Sequence, residues 1–250
     1  MKSLTPTKSL ISVFSSILIL IVLLFSIGLN SFDKGKFTCN RYILNTYLYV
    51  ILTFNIIALL CVSLEHKKVL FSYNLWQFIG LFLITIGLII WLKFISAKYV
   101  VGKHFVWLAF VLSIGMLFYP MYSLFQDKSI ILSAILTTVM LTFLLSVVAF
   151  IKPELISFSL GPILLLLLIG IIIMEISLLI IYRKDYSKVR NTFRIISYFV
   201  IFLFMGFILY DTKMLQIRAK ACKNADYLDE SLHLFLDIFN IFVRVLSLGR

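Results

Sequence analysis

Two aspartates, Asp211 and Asp237, stand inside the last two long apolar runs of the chain, ISYFVIFLFMGFILYDTKML and SLHLFLDIFNIFVRVLSL. A carboxylate at membrane depth costs at least about 2.5 kcal/mol on insertion scales, so its default reading is an ion or proton site. The charged connector between the runs extends from Arg218 to Glu230, with Asp211 about seven residues before it and Asp237 about seven after. At ~1.5 Å per helical residue, both carboxylates sit roughly 10 Å below one membrane face. If the two helices form an antiparallel hairpin, the side chains meet. Two carboxylates in a low-dielectric site cannot both ionise cheaply, so they are expected to titrate as one coupled pair.

The last run adds to this. His233, Asp237, Asn240 and Arg244 follow at steps of four, three and four, which places them on one helical face. The opposite face is Leu, Phe, Ile and Val. A narrow polar stripe suits a helix buried in a bundle, with the stripe turned to a polar path. A helix lying flat in the interface is the competing reading. Arg244 then either holds one of the aspartates ionised or snorkels to the far interface. Lys93, near the end of GLIIWLKFISAKY, is either a snorkelling cation or a counter-charge to the aspartates. Glu175, in GIIIMEISLLIIYRK, reads as a carboxylate reachable from the interface rather than a second ion site.

The elements that must position these groups are membrane spans. Hydrophobic residues make up 62% of the 250 and charged residues 14%, with a mean hydropathy of +1.09. Ordinary soluble domains carry about a quarter charged residues, so that class is excluded. Eight apolar stretches come near or above the ~20 residues that span a bilayer: 10–29, 41–64, 75–95, 104–125, 129–151, 156–182, 193–216 and 231–248. Continuous apolar runs, rather than alternation, predict helices and not a barrel. The fold class is therefore an all-α polytopic bundle. The stretch 10–29 follows Lys2 and Lys8, is longer than a signal-peptide core and lacks an A-x-A-like cleavage site, so it is expected to be a retained anchor. Gly80 and Gly87 share a face and predict close packing, and Pro120 predicts a bend or a carbonyl free for a partner.

The formal charge of +12 would raise nucleic acid as a partner, but Lys and Arg at helix ends explain it better. Counting basic residues by alternating face gives eleven against ten, so the positive-inside rule assigns no orientation. Cys39, Cys61 and Cys222 have no metal-ligand or CxxC spacing, and His66, His104 and His233 fall in separate segments. HExxH, GxxxxGK[ST], GxSxG and dinucleotide fingerprints are absent, so no enzyme and no cofactor are expected.

Gly206-Phe207-Ile208-Leu209-Tyr210-Asp211-Thr212-Lys213-Met214-Leu215 resembles the GFxxYDTxxL signature of the Bax inhibitor-1 (transmembrane Bax-inhibitor-motif) family. Asp226-Tyr227 and Leu234-Phe235-Leu236-Asp237-Ile238-Phe239-Asn240-Ile241-Phe242 resemble its closing EY…LYLDIINLF pattern. Ile131 to Thr138 is similar to its fourth transmembrane helix, and Arg41 to Tyr47 to the start of its first. The resemblance covers roughly 41–248. It implies a seven-helix domain over 41–250, preceded by an extra anchor-like segment and loop over 1–40. It further implies a pH-sensitive calcium leak in which Asp211 and Asp237 share a proton and close the pore. Lys93 aligns with an arginine of some prokaryotic relatives, keeping the charge but not its bidentate geometry.

On that reading, loss of the shared proton leaves two repelling charges that attract calcium, which prefers several oxygen ligands. Asn240, one turn past Asp237, adds an amide oxygen. His233, Asn240, Arg244 and Lys93 support the path, and calcium is a permeant ion held transiently by Asp211 and Asp237. The implied partners are membrane lipid, calcium, protons and host cell-death proteins, not nucleic acid. The implied location is the endoplasmic reticulum or Golgi membrane in a eukaryotic or viral setting. Two other classes fit the same residues: a proton-coupled transporter of a small cation or metabolite, and a non-conducting anti-apoptotic adaptor.

Overall fold

The computed structural model describes residues 6–67, 73–125, 127–182 and 189–249. Of the basic residues weighed for orientation, Lys2, Lys68, Arg183, Lys184, Lys188 and Arg250 lie outside the described residues. Among the described residues there are eight helices, each long and apolar enough to cross a membrane. They are α1 (Pro6–Ser31), α2 (Tyr42–His66), α3 (Leu75–Phe94), α4 (Val100–Leu124), α5 (Lys128–Ile151), α6 (Leu160–Ile181), α7 (Arg190–Lys220) and α8 (Tyr227–Leu248). Two paired two-residue strands, β1 (Phe32–Asp33) and β2 (Lys36–Phe37), follow α1. The protein is a nearly all-α, multi-pass membrane protein. Helices win because lipid offers no partner to a free backbone N–H or C=O, and a helix satisfies both internally.

The chain forms two compact units, Met1–Gln126 with Ala221–Leu232, and Asp127–Lys220 with His233–Arg250. In the first, α1 lies on α2, and both α2 and α3 pack on α4. The anchor-like segment thus belongs with α2 to α4. Among the described side chains of α1, Leu23, Ile27 and Ser31 are enclosed, while Phe14, Leu18 and Phe25 are exposed. Asn45 Nδ2 donates to the Asn30 carbonyl at 3.0 Å, and Arg41 Nη1 donates to Asn30 Oδ1 at 2.5 Å, tying the two helix ends together. Between them, Lys34 and Gly35 both have positive φ (48° and 76°), the geometry that closes a two-residue hairpin turn.

Local chemistry explains several boundaries. Asn74 and Gln77 form a reciprocal capping box at the start of α3. Asp127 accepts from Ser129 N at 2.9 Å and starts α5. Pro120 lies inside α4, and its missing N–H leaves the Met116 carbonyl unused by the helix. Tyr73 Oη donates to that carbonyl at 3.4 Å, so the proline did free an acceptor for a partner. The glycine expectation is corrected. A Cβ at Gly80 or Gly87 would meet nothing within 4 Å, whereas one at Gly115 would lie 2.7 Å from Leu60 Cδ2. Close helix approach therefore occurs at Gly115 of α4.

In the second unit α7 packs on both α5 and α6. Gln216 Nε2 donates to the Ala149 carbonyl at 2.8 Å, which sets the level of α7 against α5. Lys213 Nζ donates to the Ile156 carbonyl at 2.5 Å and sits 4.2 Å over the Phe158 ring. Gly161 and Gly206 make the seam between α6 and α7: a Cβ at Gly161 would strike the Tyr210 ring, and one at Gly206 would crowd Leu164. Both α7 and α8 run past the apolar stretches 193–216 and 231–248, because polar residues at their ends continue the helix.

Candidate ion site

Asp211 stands in the last third of α7, between Tyr210, seated on Gly161, and Thr212, which is fully buried. Asp237 stands midway along α8 and is 6% exposed. The two meet within the second unit, where the Asp211 carboxyl faces that of Asp237 closely enough to interact with it. An ionised carboxylate only accepts, so a hydrogen bond between two carboxyl groups requires a proton on one of them. Among the described residues, the enclosed Oδ2 of Asp237 and the hydroxyls of Thr212 and Thr142 make no hydrogen bond. These are buried oxygens in need of a partner.

The supporting residues take different positions. Asn240 is half-buried and turns its Nδ2 onto the Leu236 carbonyl at 2.8 Å. His233 is half-buried on the same helix. Arg244 does not go to the aspartates. Its Nη1 and Nη2 donate to Glu175 Oε1 and Oε2 at 2.6 and 2.8 Å, so Glu175 is a structural partner on α6 rather than a lone interfacial carboxylate. Lys93 lies in the first unit with its Nζ 3.4 Å from Asp229 Oδ1, both side chains partly exposed. The face of α8 opposite the stripe is enclosed too: Phe235 is 1% and Phe242 7% exposed. Half of the apolar window of α8 is buried, more than in any other described span. That argues for a core helix rather than one lying flat in an interface.

Sequence reasoning missed a second charged cluster, in the first unit. Lys103 has no exposed surface. Its ammonium donates to the Ile95 carbonyl at 3.1 Å and to Asp226 Oδ2. Asp226 Oδ1 accepts from Asp229 N at 3.2 Å and so caps the start of α8. Burial pushes the Asp226 carboxyl above its ordinary value, and the Lys103 hydrogen bond and charge pull it back in part. In the sequence Lys103 is one of the basic residues near helix ends, with nothing local to mark it as buried. The signal that could have found it is the Asp226-Tyr227 pair in the family-like closing pattern, which needed a buried partner. The Cys39–Cys222 disulfide, with Cα atoms 5.9 Å apart, was also missed. A separation of 183 residues gives no local signature.

The family described as "Inhibitor of apoptosis-promoting Bax1" matches residues 39–249. No curated protein and no solved structure matches the chain.

Proposed function

The chain belongs to the family of inhibitors of apoptosis-promoting Bax1, and from that premise we propose that it is a pH-sensitive calcium leak of an internal membrane, gated by Asp211 and Asp237. Family membership supports a membrane role in cell death and calcium handling in general. The observation that carries the finer reading is the juxtaposition of two carboxyl groups, one of them 6% exposed, inside two apolar spans. While the proton is shared, the pair ties α7 to α8. Without it the two charges repel, and a divalent cation is the natural counter-charge.

Among the described residues no three His, Cys, Asp or Glu side chains come together to hold a metal. A passing calcium would therefore fill its shell of six to eight oxygens from the two carboxylates, from nearby amide and hydroxyl oxygens such as those of Asn240 and Thr212, and from water. That composition suits transit better than tight binding. Protection against cell death through store calcium, at the endoplasmic reticulum or Golgi, follows as the physiological role.

The test is calcium flux into proteoliposomes holding the purified chain, across about pH 5 to 8, where a coupled pair shows its macroscopic steps. Passive, pH-dependent flux supports the reading. Accumulation of solute against its gradient assigns a proton-coupled transporter instead, and absence of flux at every pH assigns a non-conducting adaptor.

A further inference from the structure

Cys39 and Cys222 are joined within the first unit, and the chain around them is fastened at several other points. Tyr227 Oη donates to the Thr38 carbonyl, and the Phe37 ring meets the Tyr227 ring at 5.1 Å. Lys103 holds Asp226, and Lys93 approaches Asp229. The two sulfurs are thus brought together by contacts that do not depend on the bond itself. Cys39 is exposed and Cys222 half-exposed, whereas Cys61, which is not disulfide-bonded, is 1% exposed.

We propose that the connector face carrying Cys39–Cys222 lies in an oxidising compartment, and that this pair is a thiol–disulfide exchange site for a dithiol–disulfide oxidoreductase of that compartment. Disulfides persist in oxidising spaces such as the lumen of the secretory pathway, the cell exterior or the periplasm, and are rare where glutathione and thioredoxin keep thiols reduced. By alternation of the spans, the connectors at 32–41, 95–99, 152–159 and 221–226 face that space. The starts of α1, α3, α5 and α7 and the end of α8 face the reducing side. Charge does not oppose this, since the basic residues divide eleven to ten between the faces. The bridge supplies the orientation that charge withholds.

The chemistry balances as follows. The Cys39 thiolate attacks the disulfide of the oxidoreductase, forming a mixed disulfide and releasing one enzyme thiolate. The Cys222 thiolate then attacks the Cys39 sulfur, closing the bridge and releasing the second enzyme thiolate. Two electrons and two protons pass from the chain to the oxidoreductase, which leaves as a dithiol.

The experiment uses sealed microsomes containing the full chain, with thiols counted by maleimide-polyethylene glycol after denaturation. Without reductant one adduct is expected, from Cys61, and after full reduction three, because the chain holds three cysteines. A membrane-impermeant phosphine added outside sealed microsomes should leave one adduct, and the same reagent after detergent should give three. The Cys39→Ser chain should carry two adducts without reductant. Because the count is made on denatured protein, a folding defect in that variant does not obscure it. Three adducts on the unreduced chain, or one on Cys39→Ser, would overturn the pairing. Three adducts in sealed microsomes treated from outside would overturn the orientation.

Discussion

Arg244 and Glu175 meet as fork and carboxylate, Nη1 to Oε1 at 2.6 Å and Nη2 to Oε2 at 2.8 Å. Arg244 lies seven residues along α8 from Asp237, about two turns away, yet its charge is committed to α6. The guanidinium is therefore committed away from the aspartate pair, and on the proposed reading it is a shared proton that balances the two carboxylates.

The ion pair should show as a non-additive cycle. Both side chains are about a fifth exposed (24% and 18%), so removing either partner leaves a largely desolvated charge. Arg244→Met and Glu175→Gln should each destabilise the protein by about 2–3 kcal/mol. The double variant should lose less than the sum, with a coupling of about 1–2 kcal/mol. Thermal unfolding in detergent micelles measures this. Additive losses would mean that the contact seen between the two side chains contributes nothing.

The spans were legible because lipid imposes helices on any apolar run of sufficient length. The approach of Asp211 to Asp237 was legible because both stand about seven residues from one connector, so an antiparallel hairpin brings them to one level. The partners of the cations were not. Arg244 and Glu175 are 69 residues apart, Lys103 and Asp226 are 123 apart, and periodicity within one helix says nothing about which helix lies opposite. Gly80 and Gly87 misled for a related reason. Small residues permit close approach but do not compel it, and α3 turns that face to open space.

Lys103→Met should destabilise by about 3 kcal/mol, because it leaves the partly buried Asp226 without its cation. The pH dependence has a definite sign. Burial already holds the Asp226 carboxyl above its ordinary value against the pull of Lys103, and without the ammonium it should rise further. A raised folded-state value means that the fold favours the protonated acid. Stability is then full below the unfolded value near 4 and is lost as pH rises through the raised one. Unfolding temperatures of the variant should fall from acid to neutral pH more steeply than those of the parent. Parallel curves would show that the Lys103 charge does not act on Asp226.

Two glycines on α6 offer a matched comparison. A Cβ at Gly161 would lie 2.5 Å from Tyr210 Cζ, while one at Gly170 would meet nothing within 4 Å. Gly161→Ala should destabilise by about 1–3 kcal/mol, since the ring of the residue next to Asp211 must move. Gly170→Ala should be neutral, or stabilising by up to about 1 kcal/mol through helix propensity. Equal effects of the two substitutions would show that Tyr210 is not seated on Gly161.

Asp211→Asn and Asp237→Asn should each abolish the pH dependence of calcium flux, because either change removes the shared proton. A carboxamide can still hydrogen-bond its neighbour, so the helices should stay packed and the proteins folded. Retention of the parent pH profile in both variants would end the case for the pair as gate.

The last helix can be probed directly by cysteine accessibility. A background lacking every native cysteine would break the Cys39–Cys222 bridge, so only the buried Cys61 should be replaced, by alanine. His233 and Asn240 are the informative positions: both are half-buried on the Asp237 face, and neither is a carboxylate. Arg244→Cys would strand Glu175 and is better left out. If the stripe lines a polar path, His233→Cys and Asn240→Cys should react with a water-soluble thiol reagent, whereas Phe235→Cys and Phe242→Cys should not, since those faces are enclosed. Release of the shared proton should loosen α8 from α7, so labelling of Asn240→Cys should quicken as pH rises. The thiol's own ionisation also quickens labelling, and His233→Cys serves as the reference for it, because His233 lies on the connector side of Asp237. A rise at Asn240 beyond that at His233 reports the opening. Equal rates at all four positions, with the same pH trend, would mean that water reaches α8 from every side and that Asp237 gates nothing.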